Sequence, residues 1–132
     1  NRIAQADKRM RKMEGMTGEV DPPRTYGPEE ADVTFVLWGS SYGPVREAVD
    51  RLNDEQPGRA NLLHFSALHP FPPEAKAALE RTNRSVVVEG NVTGQLETLI
   101  RARTGISVDG SIRKYDGRAF SPEYIVAHLS EV

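Results

Sequence analysis

Three short apolar runs, separated by segments with helical periodicity, constrain the fold of this chain more than any other feature. The runs are VTFVLW at 33–38, ANLLHFS at 60–66 and SVVVEG at 85–90. Continuous apolar runs of this length are typical of strands that are covered on both faces. Their alternation with helices predicts an α/β fold with a mostly parallel sheet between two helical layers. Ligands of such proteins bind beyond the carboxyl ends of the strands.

The limits of several elements are also predicted. Pro44 suits a first helical position, where no amide hydrogen is needed, and begins the helix after the first run. Good helix formers fill residues 1–14, and we expect Gly15 and Gly18 to end that pattern. The segment Ile106–Arg113, interrupted by Asp109 and Gly110, is predicted to be a fourth strand.

Residues 1–20 are predicted to be a connector from a preceding domain, and residues 21–132 to be the sheet-bearing domain. The segment 19–30 contains three prolines and reads as a linker, with a short edge strand near Arg24–Tyr26. The chain begins at Asn1 inside a helix-like stretch, and we therefore expect it to be a piece of a longer protein.

Charge is distributed unevenly along the chain. Residues 1–13 hold five basic residues against one acidic residue, Asp7, whereas the whole chain has a net charge of −2. A basic start of this kind is interpreted as a solvated helix face or a linker, or as a surface that docks on an acidic partner.

Composition excludes several classes of site. The chain has no cysteine, so it can supply no disulfide, thiolate metal site, cysteine-ligated iron–sulfur cluster or cysteine nucleophile. No apolar run approaches the length of a membrane span, and no secretory signal is present. Basic and aromatic residues are not interleaved as in nucleic-acid-binding proteins. We expect a cytoplasmic protein that binds neither nucleic acid nor membrane.

The turns that follow the three strands carry the candidate chemistry. Gly39–Gly43 matches the Gly-x-Ser-x-Gly pattern of a hydrolase nucleophile, with Ser41 at its centre. His69 is a candidate base on the same edge, and Glu89 is a candidate for orienting it. The alternative interpretation is a tight turn whose serine hydroxyls cap the helix that directly follows it.

Glu89 ends an apolar strand, where a carboxylate is costly to bury unless it receives hydrogen bonds. We expect these bonds from backbone amides of the 90–95 turn or from a side chain of the Gly39–Gly43 turn. Asn91 or Thr93 is predicted to cap the helix that follows. Glu97 is predicted to lie on the solvent face of that helix.

Two longer runs carry a family resemblance. VVVEGNVTGQLETLIR at 86–101, followed by KYDGRAFSPEYI at 114–125, resembles the alpha chain of 2-oxoacid:ferredoxin oxidoreductases. The runs TYGPEEADVTFVLWGSSYGPVREAV and LHFSALHPFP also fit that family. The resemblance extends from about residue 24 to residue 128 and lies in the domain of that chain that is similar to the transketolase C-terminal domain.

The resemblance implies a three-layer α/β/α domain with a five-stranded sheet whose edge strand, near 24–27, is antiparallel. It implies a parent enzyme that converts a 2-oxoacid and coenzyme A to acyl-CoA and carbon dioxide and reduces ferredoxin. Thiamine diphosphate, Mg and iron–sulfur clusters serve that chemistry in the family. None of them is expected to bind to this domain, because they belong to other parts of the alpha chain or to a beta subunit.

An assembly role is therefore predicted for the strand-end edge, with no catalytic and no metal-binding residue. The edge residues predicted to face other domains of the alpha chain or the beta subunit are Ser40, Ser41, Tyr42, His69, Phe71, Glu89, Asn91 and Gln95. Tyr42, Phe71 and Pro72 are predicted to form an exposed patch. A free-standing ligand-binding or regulatory module is the alternative from another class, and a small serine hydrolase is a further one.

Overall fold

Strands and helices alternate along the chain. The computed structural model describes residues 1–132. Its strands are β1 (Arg24–Tyr26), β2 (Val33–Trp38), β3 (Ala60–Phe65), β4 (Ser85–Glu89) and β5 (Gly110–Arg113). Its α-helices are α1 (Arg2–Thr17), α2 (Tyr42–Glu55), α3 (Ala75–Glu80), α4 (Gln95–Thr104) and α5 (Pro122–Leu129).

The five strands form one sheet in the order β1-β3-β2-β4-β5. β2 pairs in parallel with both β3 and β4, and β4 pairs in parallel with β5. β1 runs antiparallel to β3, with Arg24 opposite His64. The predicted α/β fold, with a mostly parallel five-stranded sheet and an antiparallel edge strand, is confirmed.

Apolar side chains cover both faces of the sheet. Phe35, Leu37 and Val86 belong to the core cluster that packs against α2 and α5. Val36 and Val87, which point to the opposite face, pack with residues of α3 and α4. Burial on both faces explains why these strands read as continuous apolar runs rather than as alternating ones.

The limits of three elements differ from the prediction. α1 continues through Gly15, because a single glycine weakens a helix by about 1 kcal/mol without breaking its hydrogen bonds. It ends at Thr17, and Gly18, the second predicted glycine, is its C-cap. α2 begins at Tyr42, after a 3-10 turn at Gly39–Ser41, and not at Pro44.

The fourth strand is shorter than predicted and covers only Gly110–Arg113. The Asp109 carboxylate accepts hydrogen bonds from the amide and the hydroxyl of Ser85, at 2.8 and 3.1 Å. Ile106 and Val108 pack against the core cluster of α3 and α4 and do not pair with β4.

α1 differs from the other helices because none of its residues is buried. The division of the chain at residue 20 into a connector and a domain stays a prediction. None of the helices is both long enough and apolar enough to cross a bilayer.

Candidate functional site at the carboxyl edge of the sheet

The segments that follow β2, β4 and β5 meet at one edge of the sheet. A depression of about 310 Å³ is lined by Trp38, Ser40, Ser41, Asn91 and Gln95. A second depression, of about 520 Å³, is lined by Ser40 and Ser41 together with the loop 114–120. We call these surroundings the carboxyl edge. The structure thus brings together Ser40, Ser41, Asn91 and Gln95 as the strand pattern predicts.

Glu89 is the last residue of β4 and its side chain is 0% exposed. Its Oε2 accepts hydrogen bonds from the amide of Leu96 at 2.8 Å and from Asn91 Nδ2 at 2.7 Å. Its Oε1 accepts a longer bond from the amide of Glu97, at 3.4 Å. These amides belong to the first turn of α4, where backbone donors have no partner within the helix. The predicted amides of the 90–95 turn and side chains of the Gly39–Gly43 turn are not among the donors.

Asn91 completes the same arrangement. Its Oδ1 accepts hydrogen bonds from the amides of Gly94 and Gln95, at 2.8 and 3.1 Å. Asn91 and Glu89 together therefore accept from four consecutive amides at the start of α4. Asn91 has the predicted capping role, whereas Thr93 is exposed and makes no cap bond. The negative carboxylate also lies at the positive end of the helix dipole.

Arg113, at the end of β5, holds the same turn from the other side. Its guanidinium donates to the Val92 carbonyl at 3.2 Å and to Glu97 at 2.7 Å. Glu97 is thus half-buried and paired, and its predicted place on the solvent face is wrong. Gly94 adopts φ +68, and a Cβ added there would lie 2.5 Å from Arg113 Nη2.

The loop after β5 is held together by contacts between its own residues. The ammonium of Lys114 contacts Asp116 and donates to the Arg118 carbonyl at 3.2 Å. The hydrogen bond from Lys114 holds the pKa of the Asp116 carboxyl below its usual range. Tyr115, which lies between Lys114 and Asp116 in the sequence, is 66% exposed.

The contacts of Tyr42 and Ser41 differ from the predicted ones. Tyr42 is half-buried and packs edge-to-face on His64, with 5.1 Å between ring centroids. Ser41 is the N-cap residue of α2 but makes no side-chain cap bond, so the predicted capping of that helix by a hydroxyl is wrong.

His69 and Phe71 line a different surface, next to α1, and do not line the two depressions of the carboxyl edge. Phe71 stacks on Phe65, with 5.6 Å between centroids. Pro72 is buried, so the predicted exposed patch of Tyr42, Phe71 and Pro72 does not form. The reason is that the rings of Tyr42 and Phe71 pack on His64 and Phe65 of β3 instead of facing solvent.

A serine hydrolase site is not assembled. No hydrogen bond joins Ser41, His69 and Glu89, and both carboxylate oxygens of Glu89 are engaged by α4 and Asn91. A base oriented by Glu89 would require those bonds to break.

Sequence reasoning missed the apolar part of the carboxyl edge. Trp38, Val92 and Tyr115 are the three exposed large hydrophobic residues outside α1. Trp38 is 41% exposed although it ends an otherwise buried strand. The signal was available, because each of the three follows or ends a strand and none fits the spacing of a core position.

The chain is similar to members of one oxidoreductase family. The family model of the pyruvate:ferredoxin oxidoreductase core domain II matches residues 31–125. The alpha subunit of 2-oxoacid:ferredoxin oxidoreductase 2 from Aeropyrum pernix is 40% identical over 70% of this chain and 14% of that subunit. The corresponding alpha subunit 1 from Sulfurisphaera tokodaii is 31% identical over 100% of this chain and 21% of that subunit. The chain therefore spans about a fifth or less of the length of these curated relatives.

Solved structures that resemble the chain include members of the same oxidoreductase family. The 2-oxoglutarate:ferredoxin oxidoreductase from Magnetococcus marinus, with 2-oxoglutarate, coenzyme A and succinyl-CoA bound, has a TM-score of 0.85 and 32% identity. The match covers 99% of this chain and 23% of that one. The alpha chain of a probable 2-oxoacid ferredoxin oxidoreductase from Thermoplasma acidophilum is 37% identical over 83% of this chain and 95% of that one, with a TM-score of 0.58. Transketolase from Campylobacter jejuni, at 17% identity and a TM-score of 0.59 over 86% of this chain and 20% of that one, shares the fold alone.

Proposed function

Because the chain belongs to the pyruvate:ferredoxin oxidoreductase core domain II family, we propose that it is part of the alpha subunit of a 2-oxoacid:ferredoxin oxidoreductase. Such an enzyme converts a 2-oxoacid and coenzyme A to an acyl-CoA and carbon dioxide, and it passes two electrons to ferredoxin. The observation that carries the proposal is the likeness to the Magnetococcus marinus enzyme over 99% of the chain. A cytoplasmic location is part of the same proposal.

The cofactors of that reaction do not fit the residues of this chain. Thiamine diphosphate would require a magnesium site, but no group of three or more His, Cys, Asp or Glu side chains could hold a metal ion. Iron–sulfur clusters would require thiolates, and the chain has no cysteine. We therefore assign no catalytic step to these residues and propose that the cofactors bind elsewhere in the alpha chain or in a beta subunit.

The carboxyl edge supports an assembly role. Three of its charged groups are engaged internally: Glu89 by the amides of α4, Arg113 by Glu97, and Lys114 by Asp116. Its exposed side chains include Trp38 and Tyr115, aromatic residues that are enriched at protein interfaces. We propose that this edge packs against a neighbouring domain or subunit of the parent enzyme.

The isolated chain is expected to have no oxidoreductase activity. Purified residues 1–132 would be incubated with a 2-oxoacid, coenzyme A and the artificial electron acceptor methyl viologen, with added thiamine diphosphate and Mg²⁺. We expect no acceptor reduction above that of a blank without protein, because the chain has no cysteine that could ligate an iron–sulfur cluster. Reduction that depends on both the 2-oxoacid and the chain would contradict the proposal that the cofactors bind elsewhere.

Tyr115→Asp in the full-length alpha chain is expected to weaken assembly of the parent enzyme by about tenfold, because it places a charge in an aromatic contact. Met16→Asp is the matched control, since Met16 is an exposed apolar residue on α1, away from the carboxyl edge. The measurement is co-purification with a tagged beta subunit, together with acceptor reduction in the complex. If both variants assemble like the wild type, the edge is not an interface, and a free-standing binding module becomes the better proposal.

A further inference from the structure

A second apolar surface lies next to α1, separate from the carboxyl edge. Ile3, Ala6, Met10 and Met13 follow one another at spacings of three, four and three residues and so share one face of the helix. Met13 is half-buried, whereas Ile3 and Met10 are exposed. The face is therefore only partly covered by the rest of the chain.

Between this face and the body of the domain runs a groove of about 420 Å³. We call it the α1 groove. Six of its lining residues are Met10, Met13, Phe71, Pro73, Lys76 and Arg103. One wall comes from α1, and the other comes from the turn 69–73, from α3 and from the end of α4.

The walls of the α1 groove are suited to apolar side chains. Methionine is unbranched and polarizable, so Met10 and Met13 can adapt to side chains of different shape. Phe71 is held by stacking on Phe65, and the backbone of the proline-rich turn 70–73 has little freedom to lose on binding. One wall is therefore adaptable, and the facing wall is rigid.

Charge on the α1 groove has one sign. Lys76, Arg103 and His69 line it, and no carboxylate does. Arg103 has no ion-pair partner, and the only one of Lys76 is Glu80 at 3.9 Å. α1 itself has five basic residues and two acidic ones. A second copy of α1 would bring the same excess of positive charge and would be repelled.

From this combination we propose that the α1 groove binds a segment of a partner protein that carries both apolar and acidic side chains. The apolar side chains would fill the space between Met10 and Phe71, and the carboxylates would pair with Lys76 and Arg103. This binding mode is that of an amphipathic segment in a groove. The inference concerns a surface other than the carboxyl edge and does not depend on the proposed function.

The test measures fluorescence anisotropy of two labelled peptides of about twelve residues, titrated with the 132-residue chain. Both have leucine at helical positions one, four and eight; one has glutamate at the other positions and the second has lysine. We expect the glutamate peptide to bind at least about tenfold more tightly, with an affinity that falls as salt rises. Equal affinities, or no binding of the glutamate peptide, would overturn the proposal.

Two matched pairs of variants locate the binding. Met10→Glu is expected to weaken binding of the glutamate peptide by about tenfold relative to Met16→Glu, which adds the same charge to the same helix. Met10 is 61% exposed and Met16 is 50% exposed, so neither change disturbs a core, and only Met10 lines the groove. Arg103→Glu is compared in the same way with Arg101→Glu, which is on the last turn of α4 but outside the groove. Equal losses within each pair would show that the peptide binds by overall charge and would refute a groove site.

Discussion

Replacing Glu89 with alanine is expected to lower the free energy of unfolding by about 3 kcal/mol or more. The substitution removes an acceptor that is shared by the buried amide of Leu96 and by the Nδ2 of the half-buried Asn91. Each hydrogen bond to a charged group contributes about 1.5–3 kcal/mol, and the abandoned amide of Leu96 remains buried. Urea unfolding followed by circular dichroism measures the loss.

The control for this experiment is Glu55→Ala. Glu55 is exposed, lies at the end of α2 and makes no ion pair, so its loss is expected to change stability by less than about 0.5 kcal/mol. Glu97 is unsuitable as a control because it is paired with Arg113. Glu89→Gln keeps the shape and one acceptor oxygen and should fall between wild type and alanine. Equal, small losses for Glu89→Ala and Glu55→Ala would contradict a stabilising role for the buried carboxylate.

Gly94→Ala is expected to be the second strongest change and to cost about 2–3 kcal/mol. Two effects add: alanine is strained at φ +68, by about 1–2 kcal/mol, and its methyl group collides with the guanidinium of Arg113. Displacing Arg113 breaks its bonds to Glu97 and to the Val92 carbonyl. The loss is read as a fall in the urea midpoint at unchanged slope.

Gly105→Ala separates these two effects. Gly105 also has a positive φ, +76, at the other end of α4, but nothing lies within 4 Å of an added Cβ. It should therefore cost the backbone strain alone, about 1–2 kcal/mol. In an Arg113→Ala background, Gly94→Ala should cost no more than Gly105→Ala. If Gly94→Ala costs the same in both backgrounds, the collision with Arg113 is not part of the effect.

Much of the fold could be predicted because each buried strand is recognisable from its own short stretch of sequence. The strands VTFVLW and SVVVEG are covered on both faces, and this fixes their apolar character. The beginning of β5 was harder to predict, since it depends on a tertiary contact. The bonds between Asp109 and Ser85 decide where β5 begins to pair, and they join residues 24 positions apart.

The site was predictable only in part for the same reason. Glu89 ends a strand and precedes glycines, so its need for donors could be inferred from its position. That α4 supplies them depends on the angle at which the helix leaves the turn. His69 also follows a parallel strand, but the path of its proline-rich turn takes it to the α1 groove, and no residue pattern determines that path.

The strand order has a consequence for the nascent chain. β4 is fully buried and lies between β2 and the short β5. During synthesis, β2 and β3 can pair as soon as they leave the ribosome, whereas the outer side of β4 has no partner until Gly110–Arg113 has emerged. Through that interval, Val86–Val88 presents unpaired backbone groups beside apolar side chains, an arrangement that promotes association between chains. The four residues of β5 thus cover the side of β4 that would otherwise be an apolar sheet edge.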